Sequence, residues 1–195
     1  MALMLRPARP GDAADIARLF LISSDGLAAY IWSRLQQPGE SLEAVGARRY
    51  AREGVAFSYR NCAMAEVDGQ VAGMLHAFPM EAEQGAPAEE PDPVLRPYAE
   101  LEDYGSLYVS GVAVHPEHRG RGIGTLLMTA ADERARALGL PRVSLICFER
   151  NEGAMRLYRR LGYRELDRRA LVPHPTLTYE SGDAVLLAHD VAPAA

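Results

Sequence analysis

The sequence has no lysine: every one of its 21 basic residues is an arginine. The arginines are spread along the whole chain and accompany a heavy alanine content, so the bias reads as a bacterial-like coding composition rather than a functional device. Against 26 acidic residues they leave a formal charge of -5 and a pI near 5.6. That balance argues against a protein that holds nucleic acid by general electrostatics. Cysteine is scarce as well. Cys62 and Cys147 both sit in apolar, strand-like runs, and two buried free thiols are the expected reading. No apolar run approaches the ~20 residues of a membrane-spanning helix. The opening MALMLRPARP meets arginine and proline too early for a secretory signal. The expectation is a cytoplasmic protein with no membrane partner, and no metal-ligand pattern stands out.

What is present is ordinary for a globular chain: 195 residues, 48% hydrophobic and 24% charged. A single domain over 1–195 is expected, burying roughly 70% of its unfolded surface. The periodicity predicts a strand at 3–6 and then a helix carrying Ile16, Leu19 and Phe20. Further helices are predicted over 26–35 and 41–52. CAMAEV and QVAGMLHAF flank Asp68-Gly69, a hairpin signal because both central turn positions favour positive φ. Residues 79–105 break the pattern: they are proline-rich and hold eight acids (Glu81, Glu83, Glu89, Glu90, Asp92, Glu100, Glu102, Asp103) against one arginine. They read as a long loop, either functional or a solvated insertion. A strand over 106–114, a helix from Gly122 to Gly139, a strand over 142–148 and a short helix over 151–161 follow. Two extended pieces, 163–166 and 184–189, close the chain. Strands and helices intermix, and the hairpin makes the sheet mixed: an α/β chain with α+β character.

The densest chemistry lies in VHPEHRGRGIGTLL, residues 114–127. Gly120, Gly122 and Gly124 allow backbone N–H groups to converge where a Cβ would obstruct them. The start of the following helix adds unpaired donors and the positive end of its dipole. Arg119 and Arg121 add full charges. This is an anion site suited to phosphate. The Walker pattern fails for want of lysine, and the dinucleotide fingerprint fails because its third glycine falls on Leu127 or Thr125. A plain strand-to-helix connection would not require three glycines.

The segment resembles the acetyl-CoA motif of the GNAT superfamily of N-acetyltransferases, whose core, Arg/Gln-x-x-Gly-x-Gly/Ala, is matched by Arg119, Gly120, Arg121, Gly122, Ile123 and Gly124. Downstream, NEGAMRLYRRLGY resembles the family's second motif through Asn151, Ala154, Leu157, Tyr158, Leu161, Gly162 and Tyr163. The pair spans 107–163 in the family's order. The resemblance implies a GNAT-like fold: a central mixed, mostly antiparallel sheet flanked by helices, with parallel fourth and fifth strands splaying to form the cofactor cleft. It implies acetyl-CoA as co-substrate, with Val112 and Val114 beside the pantetheine arm. Arg119 to Gly124 would hold the pyrophosphate, with Thr125 at its edge, and Asn151 would reach the arm. Tyr158 would lie at the cofactor and act as general acid.

The implied reaction is direct acetyl transfer to a primary amine of a small molecule or peptide. The base is not shared across the family. Glu102 is the first choice here, with Glu100, Asp103, Glu149 and His76 as alternatives; His115 and His118 read as turn residues. Trp32, Tyr30 and Tyr59 are available as aromatic walls, with plain packing as the simpler use. The acidic 79–105 segment favours a cationic acceptor. Family members are often dimers, which leaves a homodimer open. A non-catalytic acyl-CoA sensor and an interaction module with a vestigial site are the competing readings. Intact glycines and the presence of Tyr158 disfavour both.

Overall fold

The computed structural model of the chain describes residues 2–81 and 90–192. Its strands are β1 (Leu3–Pro7), β2 (Cys62–Val67), β3 (Gln70–Pro79), β4 (Leu107–Val114), β5 (Arg142–Phe148), β6 (Arg164–Ala170) and β7 (Asp183–Asp190). Its helices are α1 (Ala13–Ser23), α2 (Leu27–Ser33), α3 (Leu42–Tyr50), α4 (Arg96–Ala99), α5 (Ile123–Ala137) and α6 (Glu152–Arg160). The strands form one sheet in the order β1-β2-β3-β4-β5-β7-β6. β4 and β5 are parallel, with Leu107–Val109 opposite Val143–Leu145, while β1–β2, β2–β3, β5–β7 and β6–β7 are antiparallel. The expected mixed, mostly antiparallel sheet is the observed one. Among the described residues no helix is long and apolar enough to cross a membrane.

Two compact units divide the chain: Met1–Ala77 with Gly111–Thr129, and Phe78–Ser110 with Ala130–Ala195. In the first, β2 and β3 join through Asp68 and Gly69, at φ 50° and 80°, which is the turn the dipeptide predicts. The core gathers Ile16, Leu19, Phe20, Trp32, Val45, Tyr50, Met64 and Met74. α1 and α3 pack closely because α3 carries Gly46 at the crossing. A Cβ there would stand 2.3 Å from a ring carbon of Trp32 and 2.7 Å from the Ala17 Cβ. At the edge of this unit Arg6 forks onto Asp12 through Nη1 and Nη2, at 2.7 and 2.8 Å, and donates Nε to Glu66 at 2.6 Å. Asp12 also accepts the Arg9 N–H at 2.6 Å. The Arg6 guanidinium holds the Asp12 carboxyl below the usual carboxylate range, burial opposing it.

The second unit has its own apolar cluster, in which Leu101, Phe148, Leu171, Ala184 and Leu186 are joined by Tyr98, Ile146 and Tyr179. Part of the acidic segment therefore folds: α4 forms, and Leu101 is 1% exposed. This corrects the expectation of a long loop over 79–105, and the physical reason is burial of Leu101 and partial burial of Tyr98, which the surrounding acids and prolines mask. Glu83 and Glu89 lie outside the described residues. β6 also runs longer than expected, to Ala170, with a bulge between Glu165 and Asp167. Its RELDRRA sequence is almost wholly exposed and lacks an alternating apolar face. Cys62 and Cys147 are buried free thiols, as expected.

Packing and the Arg6–Asp12 pair make three stability predictions. Gly46→Ala gains about 1 kcal/mol of helix propensity but overpacks a rigid indole, so a net loss of about 1–2 kcal/mol is expected in urea denaturation. Gly153→Ala in α6, where the nearest atom to a new Cβ is 3.8 Å away, is neutral or stabilising in the same assay. Asp12→Asn costs about 2 kcal/mol at pH 7, the range for hydrogen bonds to charged groups. Because the folded-state pKa of Asp12 is lowered, its contribution is complete above the ordinary carboxylate pKa and fades as pH falls through the folded value. The gap between wild type and Asp12→Asn should therefore narrow between pH 5 and about pH 3; a gap that holds constant would refute the assignment.

Candidate active site

β4 alternates strictly. Leu107, Val109, Gly111 and Ala113 are buried, while Tyr108, Ser110, Val112 and Val114 are half-buried on the other face. At Gly111 this face packs on α1, where a Cβ would stand 2.8 Å from the Phe20 ring. Val112 and Val114 thus share one face, as a strand requires. After β4 the chain makes a short 3-10 turn, Pro116–His118, and Arg119 folds back so that its Nε donates to the Val114 carbonyl at 3.2 Å. Arg121 donates to His118 Nδ1 at 3.5 Å, consistent with His118 as a turn residue.

Gly120 and Gly122 adopt φ of 74° and 81°, and a Cβ on either would meet nothing within 4 Å. The outer side of the loop is open. α5 then starts, its first backbone bond running from the Leu126 N–H to the Gly122 carbonyl at 3.0 Å. The N–H groups of Ile123, Gly124 and Thr125 precede that bond and are the donors a helix start leaves over. Ile123 is 1% exposed, so its side chain anchors the helix and only its N–H is available to a ligand. Open left-handed glycines, leftover N–H groups and exposed Arg119 and Arg121 together fit a diphosphate.

In the second unit, Asn151 caps α6 by accepting the Ala154 N–H at 3.1 Å. Its capping role is thereby met, at the usual value of about 1 kcal/mol. Tyr158 follows two turns later, 7% exposed, with its ring 5.7 Å from that of Tyr163. The five candidate bases separate by their partners. Asp103 is buried and accepts from Arg142 at 2.7 Å. Glu100 accepts from Arg169 at 2.8 Å and Glu149 from Arg168 at 3.2 Å. His76 is fully buried in the first unit, Nδ1 3.2 Å from the Tyr50 hydroxyl and Nε2 2.9 Å from the Ala56 carbonyl. Glu102 is exposed, accepts from the Tyr104 hydroxyl, and has no ion pair among the described residues.

Trp32, Tyr30 and Tyr59 are packing residues. All three are buried, with Trp32 stacked 5.8 Å from Phe20, the Arg34 guanidinium over Tyr30, and the Tyr59 hydroxyl on Glu53. Sequence reasoning passed over the aromatic shell around His76, made by Phe20, Tyr50 and Phe57. Three aromatic residues spaced across 37 positions carry no local signal. It also passed over Asp132 and His189, which lie 3.7 Å apart.

The model of the acetyltransferase (GNAT) family matches residues 28–163. The chain belongs to that family. Solved structures agree on the fold. An N-acetyltransferase from Staphylococcus aureus Mu50 superposes with a TM-score of 0.66 at 21% identity, covering 95% of this chain and 100% of its own. A Salmonella typhimurium protein determined with its cofactor acetyl-CoA gives 0.64 at 19%, covering 100% and 97%. The ribosomal-protein-S18-alanine N-acetyltransferase from Escherichia coli gives 0.57 at 15%, covering 100% and 97%. At these identities the likeness is one of fold.

Proposed function

We propose that this chain is an N-acetyltransferase that moves the acetyl group of acetyl-CoA directly to a primary amine of a small molecule or peptide, within a ternary complex. One observation carries the reading: an open, arginine-flanked glycine loop heads α5 in a member of the GNAT family, and an Asn-capped helix bearing Tyr158 follows it. Bound acetyl-CoA supplies a thioester carbon at which a C–N bond forms as the C–S bond breaks.

The chain's residues meet the remaining needs. Arg119, Arg121 and the N–H groups from Gly120 to Thr125 bind the diphosphate. Val112 and Val114 flank the pantetheine arm, and Asn151 reaches it. A backbone N–H near Val114 stabilises the oxyanion. The amine, with an ordinary pKa of ~10.4, must lose a proton before attack. Glu102 takes that proton; the other acidic candidates are held by arginines, and His76 is enclosed. Tyr158 donates a proton to the leaving thiolate. The acceptor is an amine, and the acidic 79–105 segment favours a cationic one, with Glu100 and Asp103 already paired to Arg169 and Arg142.

The test is thiol release from acetyl-CoA across a panel of primary amines. Wild type is expected to turn over at least one, and Tyr158→Phe to lower kcat about 100-fold, the small end of general-acid effects, with KM for acetyl-CoA little changed. A protein that binds acetyl-CoA yet releases no thiol with any amine would be a sensor instead.

A further inference from the structure

Behind Tyr158 in the second unit stand three titratable side chains that the reaction above does not use. Tyr163 is 4% exposed, and its hydroxyl has no hydrogen-bond partner among the described residues. Asp132 on α5 has one carboxylate oxygen, Oδ1, in the same condition, while Oδ2 lies 3.7 Å from His189 Nε2 on β7. The His189 ring is 5.3 Å from that of Tyr163. Buried polar atoms are seldom left unmet. Here one is a hydroxyl, which needs an acceptor, and the other a carboxylate oxygen, which needs a donor.

Tyr163 is tied to Tyr158 twice. Gly162 follows α6 at φ 86°, its N–H bonded to the Arg159 carbonyl at 3.1 Å, and the Tyr163 N–H reaches the Tyr158 carbonyl at 3.0 Å. This is a Schellman cap, in which the residue after the glycine packs on the helix's last turn. The rings of the two tyrosines meet at 5.7 Å and 57°. Burial, and after it the charge of Asp132, push the Tyr163 phenol above its usual range, so it remains an O–H donor. Burial likewise raises the Asp132 carboxyl, with His189 and Arg136 pulling it down and Glu133 adding to the rise.

We propose that one internal water accepts from the Tyr163 hydroxyl and donates to Asp132 Oδ1, and that Tyr163, anchored in this way, is a positioning residue for Tyr158. The positioning role rests on Tyr158 being the proton donor; the water does not. A ring held only by packing can slide along its neighbour. One tied at its hydroxyl fixes the tilt of Tyr158 and hence the line along which its proton leaves.

The test compares wild type, Tyr163→Phe, Asp132→Ala and their double variant in urea denaturation, acetyl-CoA titration and thiol release. Tyr163→Phe is expected to lower the urea midpoint and to reduce kcat about 10-fold, with Kd and KM for acetyl-CoA unchanged. Asp132→Ala should do the same, and the double variant should be no worse than the worse single, because both remove one bridge. Asp132→Asn, whose amide oxygen still accepts, should retain most of the activity. A raised midpoint in Tyr163→Phe would overturn the water, since deleting an unmet buried hydroxyl relieves the fold. A lowered midpoint with kcat intact would overturn the positioning. Wild type that binds acetyl-CoA but transfers to no amine would remove the reaction and the positioning role, leaving the denaturation cycle to decide the water alone.

Discussion

Two left-handed residues within three, Gly120 and Gly122, are the constraint on which the loop between β4 and α5 depends. An L-residue at either position would strain the backbone that hands β4 over to α5. The helix start must also be held still, and its buried residues do this. Ile123 and Leu127 are 1% and 0% exposed. Gly73 of β3 gives them room: a Cβ there would come within 3.4 Å of Leu127 and 2.7 Å of the Ala113 carbonyl. The loop is therefore bare outward and anchored inward. That combination makes a rigid row of donors rather than a flexible one, and rigidity is what lets weak terms add on a single anion.

The same division between anchored and open recurs among the polar side chains. Arg6 with Asp12 and Glu66, and Arg142 with Asp103, are ion pairs whose partners are largely buried. His76 is satisfied on both ring nitrogens inside an aromatic shell. Such groups have hydrogen-bond partners inside the fold. Glu102, by contrast, is exposed and has no ion pair among the described residues.

Much of this was legible in the sequence. The Asp68-Gly69 turn, the strand at β4 and the helices α1 and α6 each follow from one local rule. The open glycine loop was legible because glycine and arginine are read directly as backbone freedom and charge, and the resemblance to the GNAT family, which the family match bears out, added the expected cofactor. The rest was hidden for a common reason: it depends on residues far apart in the chain. α4 is fixed by Leu101 and Tyr98 packing with Phe148 and Leu171, and nothing around Arg96 announces a helix. β6 is a polar strand held by β7 and by arginine–carboxylate pairs. The Asp132, His189 and Tyr163 group is drawn from α5, β7 and the end of α6. No window of sequence contains all three.

The most direct measurement is a calorimetric titration of the protein with acetyl-CoA beside a Gly122→Asp variant whose folding is checked by urea denaturation. A Cβ and a negative charge would then stand at the proposed diphosphate site. Micromolar binding by wild type, weakened at least about 100-fold in the folded variant (about 2.7 kcal/mol), is the predicted result. Failure of wild type to bind acetyl-CoA or free CoA, or undiminished binding by a folded Gly122→Asp variant, would contradict the account.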